Sequence, residues 1–152
     1  MALREQFTTA LKASMKAGDQ RRVSTVRMII AALKDRDIDA RGKGNPSGID
    51  EGDIQRMLQG LVKQRREAIE LYERGNRPEL AQQEREEIAV IETFLPKQMS
   101  DAEAEAAIKQ AIAAVGAASV KDMGKVMAAL KEKYSGQLDL SKAGGIVKKL
   151  LG

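Results

Sequence analysis

The sequence of 152 residues contains no histidine, no cysteine and no tryptophan. Without histidine and cysteine the chain cannot build a Ser-His-Asp or Cys-His nucleophile system, and the usual ligands of a zinc site are missing. Only carboxylates, lysines, tyrosines and hydroxyl groups remain for proton transfer. We therefore expect no catalytic residues, no metal and no cofactor. The lack of cysteine also excludes a disulfide framework and favours a cytoplasmic location.

Aromatic residues and long apolar runs are scarce as well. Aromatic residues make up 3% of the chain, whereas the helix formers Ala, Leu, Glu, Lys, Arg and Gln are abundant. This composition favours helices over a β-sandwich. No apolar run approaches the roughly 20 residues that span a bilayer, and the first residues lack the apolar core of a secretory signal, so we expect no membrane partner.

The spacing of apolar residues predicts four helices in the first 95 residues. The first runs over Ala2–Ala17 and is ended by Gly18. The second has an apolar face that fades after Leu33, ahead of a glycine-rich loop at residues 42–48. The third and fourth are joined by a short turn, which predicts an antiparallel hairpin with Pro78 in the first turn of the fourth helix.

Pro96 is the best candidate for a domain boundary, because proline disfavours helix at the residue before it. The segment Ser100–Glu103 has the pattern of a capping box and opens the first of three shorter helices. The sequence thus predicts an all-α chain, with a four-helix N-terminal bundle at residues 1–95 and a small three-helix tail domain at residues 96–152.

The alternating acids Asp35, Asp37 and Asp39 are typical of the start of an EF-hand loop. The pattern fails at its sixth position, which is Ala40 instead of glycine, and at its twelfth, which is Pro46 instead of glutamate. We interpret these acids as a solvated helix end. Another charged residue is different: Arg65 falls near an apolar seam. We expect a carboxylate such as Glu92 or Glu87 to hold it.

Positive charge is concentrated at the C-terminus. The formal net charge is +4, and from residue 121 onward seven lysines face three acidic residues. Lys121, Lys125 and Lys142 flank predicted helix starts, where backbone N–H groups favour phosphate. Gly124 would let a backbone approach closely. The alternative is that these lysines serve only solubility.

Several stretches closely resemble the GatB/YqeY family, in its stand-alone YqeY-like branch. They follow the family order along essentially the whole chain: residues 63–72, 77–80, 84–88, 94–100 and 122–127, followed by Lys131 and Gly136. Arg27, Arg65 and Arg66 also match family-like positions.

The resemblance implies an N-terminal helical bundle followed by a three-helix tail. In tRNA-dependent amidotransferases the similar tail contacts the tRNA body, and the chemistry resides in other domains. We therefore expect a non-catalytic translation accessory that binds tRNA or a tRNA-bearing complex. Any carbon–nitrogen ligase activity with glutamine as donor would need other subunits. The candidate nucleic-acid-binding residues are Lys121, Gly124, Lys125, Lys131, Lys142 and Lys148.

Two alternatives remain open at this point. The chain could be a protein-interaction adaptor that docks on an aminoacyl-tRNA synthetase or an amidotransferase without touching RNA. It could also be an autonomous enzyme, which would need a catalytic site built from carboxylates or lysines. The sequence pattern does not indicate such a site.

Overall fold

The computed structural model describes residues 1–152 and contains only helices. There are seven α-helices, one 3-10 turn at Val120–Asp122 and no β-strand, which confirms the all-α prediction. The helices are α1 (Leu3–Ala17), α2 (Gln20–Gly42), α3 (Glu51–Arg74), α4 (Pro78–Glu92), α5 (Asp101–Val115), α6 (Met123–Tyr134) and α7 (Leu140–Leu151). The chain divides into two compact units, Met1–Leu95 and Pro96–Gly152, which are described separately.

The helix ends follow from local side-chain chemistry. Gly18 ends α1 in the left-handed conformation, with φ of 71°. The Asp19 carboxylate accepts a hydrogen bond from the Arg22 N–H at the start of α2, and Asp50 does the same for α3. Pro78 is the first residue of α4. None of the helices is both long enough and apolar enough to span a membrane.

The N-terminal unit has one apolar core, to which all four helices contribute. α1 packs on α2, α2 packs on α4, and α3 pairs with α4 along much of its length. The two phenylalanines meet edge to face, with ring centroids 4.9 Å apart. The buried apolar residues are Leu3, Phe7, Val26, Ile29, Leu33, Ile54, Met57, Leu58, Val62, Ile91 and Phe94.

The second helix is longer than its apolar pattern indicates. The buried stripe of Val26, Ile29 and Leu33 continues to Asp37, which is only 5% exposed. A carboxylate occupies the next inward position of the helix, so the hydrophobic periodicity stops while the helix continues to Gly42. The interpretation of Asp37 as part of a solvated helix end is therefore wrong.

Asp37 is held by a set of hydrogen bonds that we call the Arg4–Asp37 clasp. The Arg4 guanidinium donates two hydrogen bonds to the carboxylate, at 2.6 and 2.8 Å, and the Ile49 N–H donates a third at 3.0 Å. Arg4 also donates to the Ile49 carbonyl at 2.8 Å. Gly48 lies against this site with φ of +81°, and a Cβ there would lie 2.2 Å from the Asp37 Oδ1. The clasp thus ties α1 and α2 to the segment that leads into α3.

Arg65 has the structural role expected from the sequence. Its Nε donates to Glu87 at 2.8 Å, Glu84 lies 3.9 Å away, and its Nη1 donates to the Leu61 carbonyl. Arg66 pairs with Glu92 at 3.3 Å. These ion pairs join α3 to α4.

Replacing Asp37 should destabilise the N-terminal unit in a pH-dependent way. The Arg4 hydrogen bonds lower the pKa of Asp37 from 3.8 to about 2, against the effect of burial. Because the folded pKa lies below the unfolded one, the stabilisation of about 2 kcal/mol is complete above about pH 5 and lost as the pH falls through 4 towards 2. Asp37→Asn should remove it at pH 7 and flatten the acid limb. Urea unfolding read by hydrogen exchange of α2 peptides measures both effects.

The matched control is Asp39→Asn, two residues further along α2. Asp39 forms an ion pair with Lys43 in which both side chains are well exposed, so the change should stay within about 0.5 kcal/mol. Equal losses in the two variants, or an unchanged acid limb in Asp37→Asn, would contradict the role assigned to the clasp.

Candidate nucleic-acid interface in the C-terminal unit

The C-terminal unit is a small bundle of α5, α6 and α7 around an apolar core. Its first helix begins with the capping box expected from the sequence, in which Ser100 and Glu103 each accept from the other's backbone N–H. Before it, the Met99 N–H donates to the Gln137 carbonyl at 2.9 Å, which holds the entering chain against the turn between α6 and α7. The buried core residues are Ala104, Ile108, Val126, Leu130, Leu138, Ala143 and Val147.

The start of α6 continues from the 3-10 turn Val120–Asp122, which Ser119 and Asp122 close with a capping box, and the Met123 N–H donates to the Val120 carbonyl. The nearest carboxylate, Asp122, is turned back and accepts from the N–H groups of Ala118 and Ser119 at 2.9 and 3.4 Å. These two backbone hydrogen bonds lower the pKa of Asp122. The carboxylate is thus committed to the preceding loop and does not occupy the N-terminus of α6.

Four of the six predicted residues lie at one end of this unit. The end of α7 reaches the 3-10 turn that precedes α6, since a Cβ built on Gly152 would lie 3.6 Å from the Val120 Cγ2. The last turn of α7 is therefore brought beside the first turn of α6. We call the exposed set Lys121, Gly124, Lys125 and Lys148 the basic end. None of its three lysines forms an ion pair.

The other two predicted lysines lie elsewhere. Lys131 is exposed and seven residues after Gly124, so it is on the same side of α6 about two turns away. Lys142 is at the opposite end of the unit, where its Nζ donates to Asp101 at 2.9 Å. This contact lowers the pKa of Asp101. The backbone amides at the start of α7 are already bonded to Asp139, so this helix start offers little to a phosphate.

Two glycines of this unit are not required by its internal packing. A Cβ added to Gly124 or to Gly145 would meet nothing within 4 Å. Gly144 is different, because a Cβ there would contact the Met123 and Met127 methyl groups at 3.6 and 4.0 Å. The surface beside Gly124 therefore leaves room for a group from outside the chain to approach the backbone.

Sequence reasoning left out Lys149, an exposed lysine in the last turn of α7. Lys149 follows Lys142 by seven residues and shares the solvent-facing side of that helix. The seven-residue interval between Lys142 and Lys149 could have shown from the sequence that Lys149 is exposed. Lys148 and Lys149 together lie in the last turn of α7, where positive charge is favourable next to the helix carbonyls.

The charged groups of the basic end are three ammonium ions and the neighbouring Asp122 carboxylate. Ammonium groups attract anions such as phosphate. No group of three or more acidic side chains in the chain is arranged to hold a metal ion.

Comparison with known proteins gives a family match over nearly the whole chain. A family model described as Yqey-like protein matches residues 4–151. Curated relatives include proteins named altered inheritance of mitochondria protein 41, mitochondrial. The one from Lachancea thermotolerans is 34% identical over 95 residues, covering 62% of this chain and 49% of the relative. Those from Vanderwaltozyma polyspora and Eremothecium gossypii are each 32% identical over 85 residues, covering 56% of this chain and 44% of the relative. The matched part thus spans about half the length of these relatives.

Gly145→Ala should stabilise the C-terminal unit. The residue is exposed inside α7 with open space around its Cα, so alanine adds helix propensity worth up to about 1 kcal/mol without a clash. Gly144→Ala should gain at least as much, because its methyl would make ordinary van der Waals contacts with the Met123 and Met127 methyl groups. Thermal unfolding followed by circular dichroism compares the two variants. A loss of stability in Gly145→Ala would show that the fold itself needs this glycine.

Proposed function

We propose that this chain, which belongs to the Yqey-like protein family, is a non-catalytic accessory that binds tRNA or a tRNA-bearing complex. The basic end of the C-terminal unit is the contact surface. The proposal joins the chemistry of that surface to the resemblance between this unit and the tail of the tRNA-dependent amidotransferases.

The observation that carries the proposal is the set of uncommitted cations at the basic end. Elsewhere in the unit Lys109 pairs with Glu105 and Lys142 with Asp101. Lys121, Lys125 and Lys148 form no ion pair, which is also true of Lys97, Lys131, Lys133 and Lys149. The basic end differs from these in that two of its lysines flank Gly124, where the backbone is open. A phosphate bound there would displace no internal ion pair.

The expected mode is recognition of the RNA backbone and shape. Binding of unpaired bases usually uses aromatic side chains as stacking platforms. This unit has a single aromatic residue, Tyr134, which is half-buried and lies under the Lys133 ammonium at 5.5 Å from the ring centroid. Contacts to phosphate and sugar across a folded RNA fit the residues present better.

Any amide-forming chemistry belongs to partners in this proposal. The carboxylates of the C-terminal unit act as helix caps or ion-pair partners, as Glu103 and Asp101 do. A carbon–nitrogen ligase activity with glutamine as donor would require other subunits. Action in the cytoplasm stays a prediction, and the relatives are named as mitochondrial proteins.

The first experiment is fluorescence anisotropy of the full chain with unfractionated tRNA, against a DNA duplex of equal charge, across a salt series. We expect tighter binding to tRNA and a steep fall in affinity with salt, because each neutralised phosphate releases counterions. Equal binding to both nucleic acids, or binding to neither, would count against the proposal. A salt-tolerant complex with a synthetase or amidotransferase, formed without RNA, would favour the adaptor alternative.

Lys121→Gln/Lys125→Gln should weaken tRNA binding about tenfold or more at 0.1 M salt and reduce the salt slope by about 1 to 2. The matched control is Lys109→Gln/Lys142→Gln, which removes the same charge from the same unit at two ion-paired positions. It should change affinity by less than about threefold, because neither ammonium group belongs to the basic end. Equal effects of the two variants would show that only net charge matters.

A further inference from the structure

Charge is sorted along the N-terminal unit, although its total is close to neutral. Residues 1–49, which include α1 and α2, carry ten lysines and arginines against five acidic residues. Residues 50–95, which include α3 and α4, carry seven against eleven. The two halves thus differ in sign, with net charges of +5 and −4.

The positive half has an ordered part, which we call the α2 stripe. Arg27, Lys34 and Arg41 follow each other at intervals of seven residues, so they share one side of α2 and rise about 10.5 Å per step. All three residues are exposed. The exposed positions between them on this side are Ala31 and Ile38, and Gln20 and Ser24 precede Arg27 on it.

Two of the three cations of the α2 stripe have no partner inside the protein. Arg27 and Lys34 form neither ion pairs nor hydrogen bonds, and Arg41 donates only to the Pro46 carbonyl at 3.3 Å. Other cations of the same region are committed, as Arg4 is to Asp37 and Arg21 is to Glu86. One carboxylate, Asp35, lies at the edge of the stripe, so positive charge still prevails along its length of about 21 Å.

The side chains of the α2 stripe fit a nucleic-acid backbone better than a protein or a lipid surface. Protein interfaces are anchored by tryptophan, tyrosine and arginine packed among other apolar groups, and a helix that lies on a membrane needs several large apolar residues beside its cations. Here Ile38 is the one large apolar residue, and the spacers are small or polar. Regularly spaced cations separated by short side chains can approach consecutive phosphates closely.

We propose that the α2 stripe is a second phosphate-contacting surface for a structured RNA. This inference rests on the proposed function and extends it from one unit of the chain to both. Each phosphate that the stripe neutralises releases counterions, so the stripe adds to the salt dependence of binding.

The test uses the full-length chain and labelled unfractionated tRNA at 0.1 M salt. Arg27→Gln/Lys34→Gln should lower affinity at least fivefold and reduce the salt slope by about 1 to 2. Arg27→Lys/Lys34→Arg keeps both charges and should retain most of the affinity. The matched control is Lys63→Gln/Arg74→Gln, which removes two exposed cations without ion pairs from α3 and should change affinity by less than twofold. All of these positions are exposed, so the variants should fold. Circular dichroism spectra that match the spectrum of the unchanged protein would confirm this.

Comparison with Lys121→Gln/Lys125→Gln separates this inference from the proposed function. Losses in both variants support both contact surfaces. A loss only in the basic-end variant overturns the α2 stripe and leaves the proposed function standing. A loss only in the Arg27→Gln/Lys34→Gln variant supports the stripe and overturns the basic end as the contact surface. Absence of tRNA binding by the unchanged protein overturns both. The same variants are also tested for binding to anionic vesicles. If Arg27→Gln/Lys34→Gln loses binding to vesicles but keeps its binding to tRNA, the choice of nucleic acid as the partner of the α2 stripe is overturned.

Discussion

The N-terminal unit depends on the hydrogen-bonded ion pair between Arg4 and Asp37. The carboxylate occupies an inward-facing position of α2, directly after three apolar residues, and would carry a large desolvation penalty without a partner. Two guanidinium hydrogen bonds and the Ile49 N–H satisfy it, and Gly48 leaves room for it. A neighbouring contact of the same kind, from the Leu3 N–H to Glu51 at 2.7 Å, fixes the start of α1 against α3. Both contacts bring together segments that are far apart in sequence.

This clasp has a consequence for the surface of the molecule. Because Asp37 is accepted inside the unit, α2 continues to Gly42, about two and a half turns beyond Leu33, where its apolar pattern ends. The outer side of the helix is lengthened in the same way. Arg41 thereby falls on the line already set by Arg27 and Lys34, and three evenly spaced cations face solvent. The Arg4–Asp37 clasp thus influences how far the α2 stripe extends along the helix.

The distinction between committed and uncommitted cations gives the surface its functional meaning. Arg65 is bound by Glu87 and by the Leu61 carbonyl, so its charge joins α3 and α4 and is not available to a ligand. Lys142 is similarly occupied by Asp101. The lysines at the basic end and the cations of the α2 stripe form no ion pair. The pKa of Asp122, lowered mainly by backbone hydrogen bonds, is nevertheless lowered further by Lys125, and that of Asp37, lowered mainly by Arg4, is lowered further by Arg41. Each of the two units therefore presents exposed cations of this kind.

The sequence by itself determined the helices and their ends, because those depend on contacts within a few residues. The caps at Asp19 and Ser100 and the left-handed Gly18 are of this kind. It also indicated that Arg65 would meet a carboxylate, since a guanidinium at an apolar seam needs one. Only the tertiary structure decided which of three alternating acids is buried, because Arg4 lies 33 residues from Asp37. In the same way, helix packing alone decided that Lys148 joins the basic end while Lys142 is paired at the opposite end of the unit.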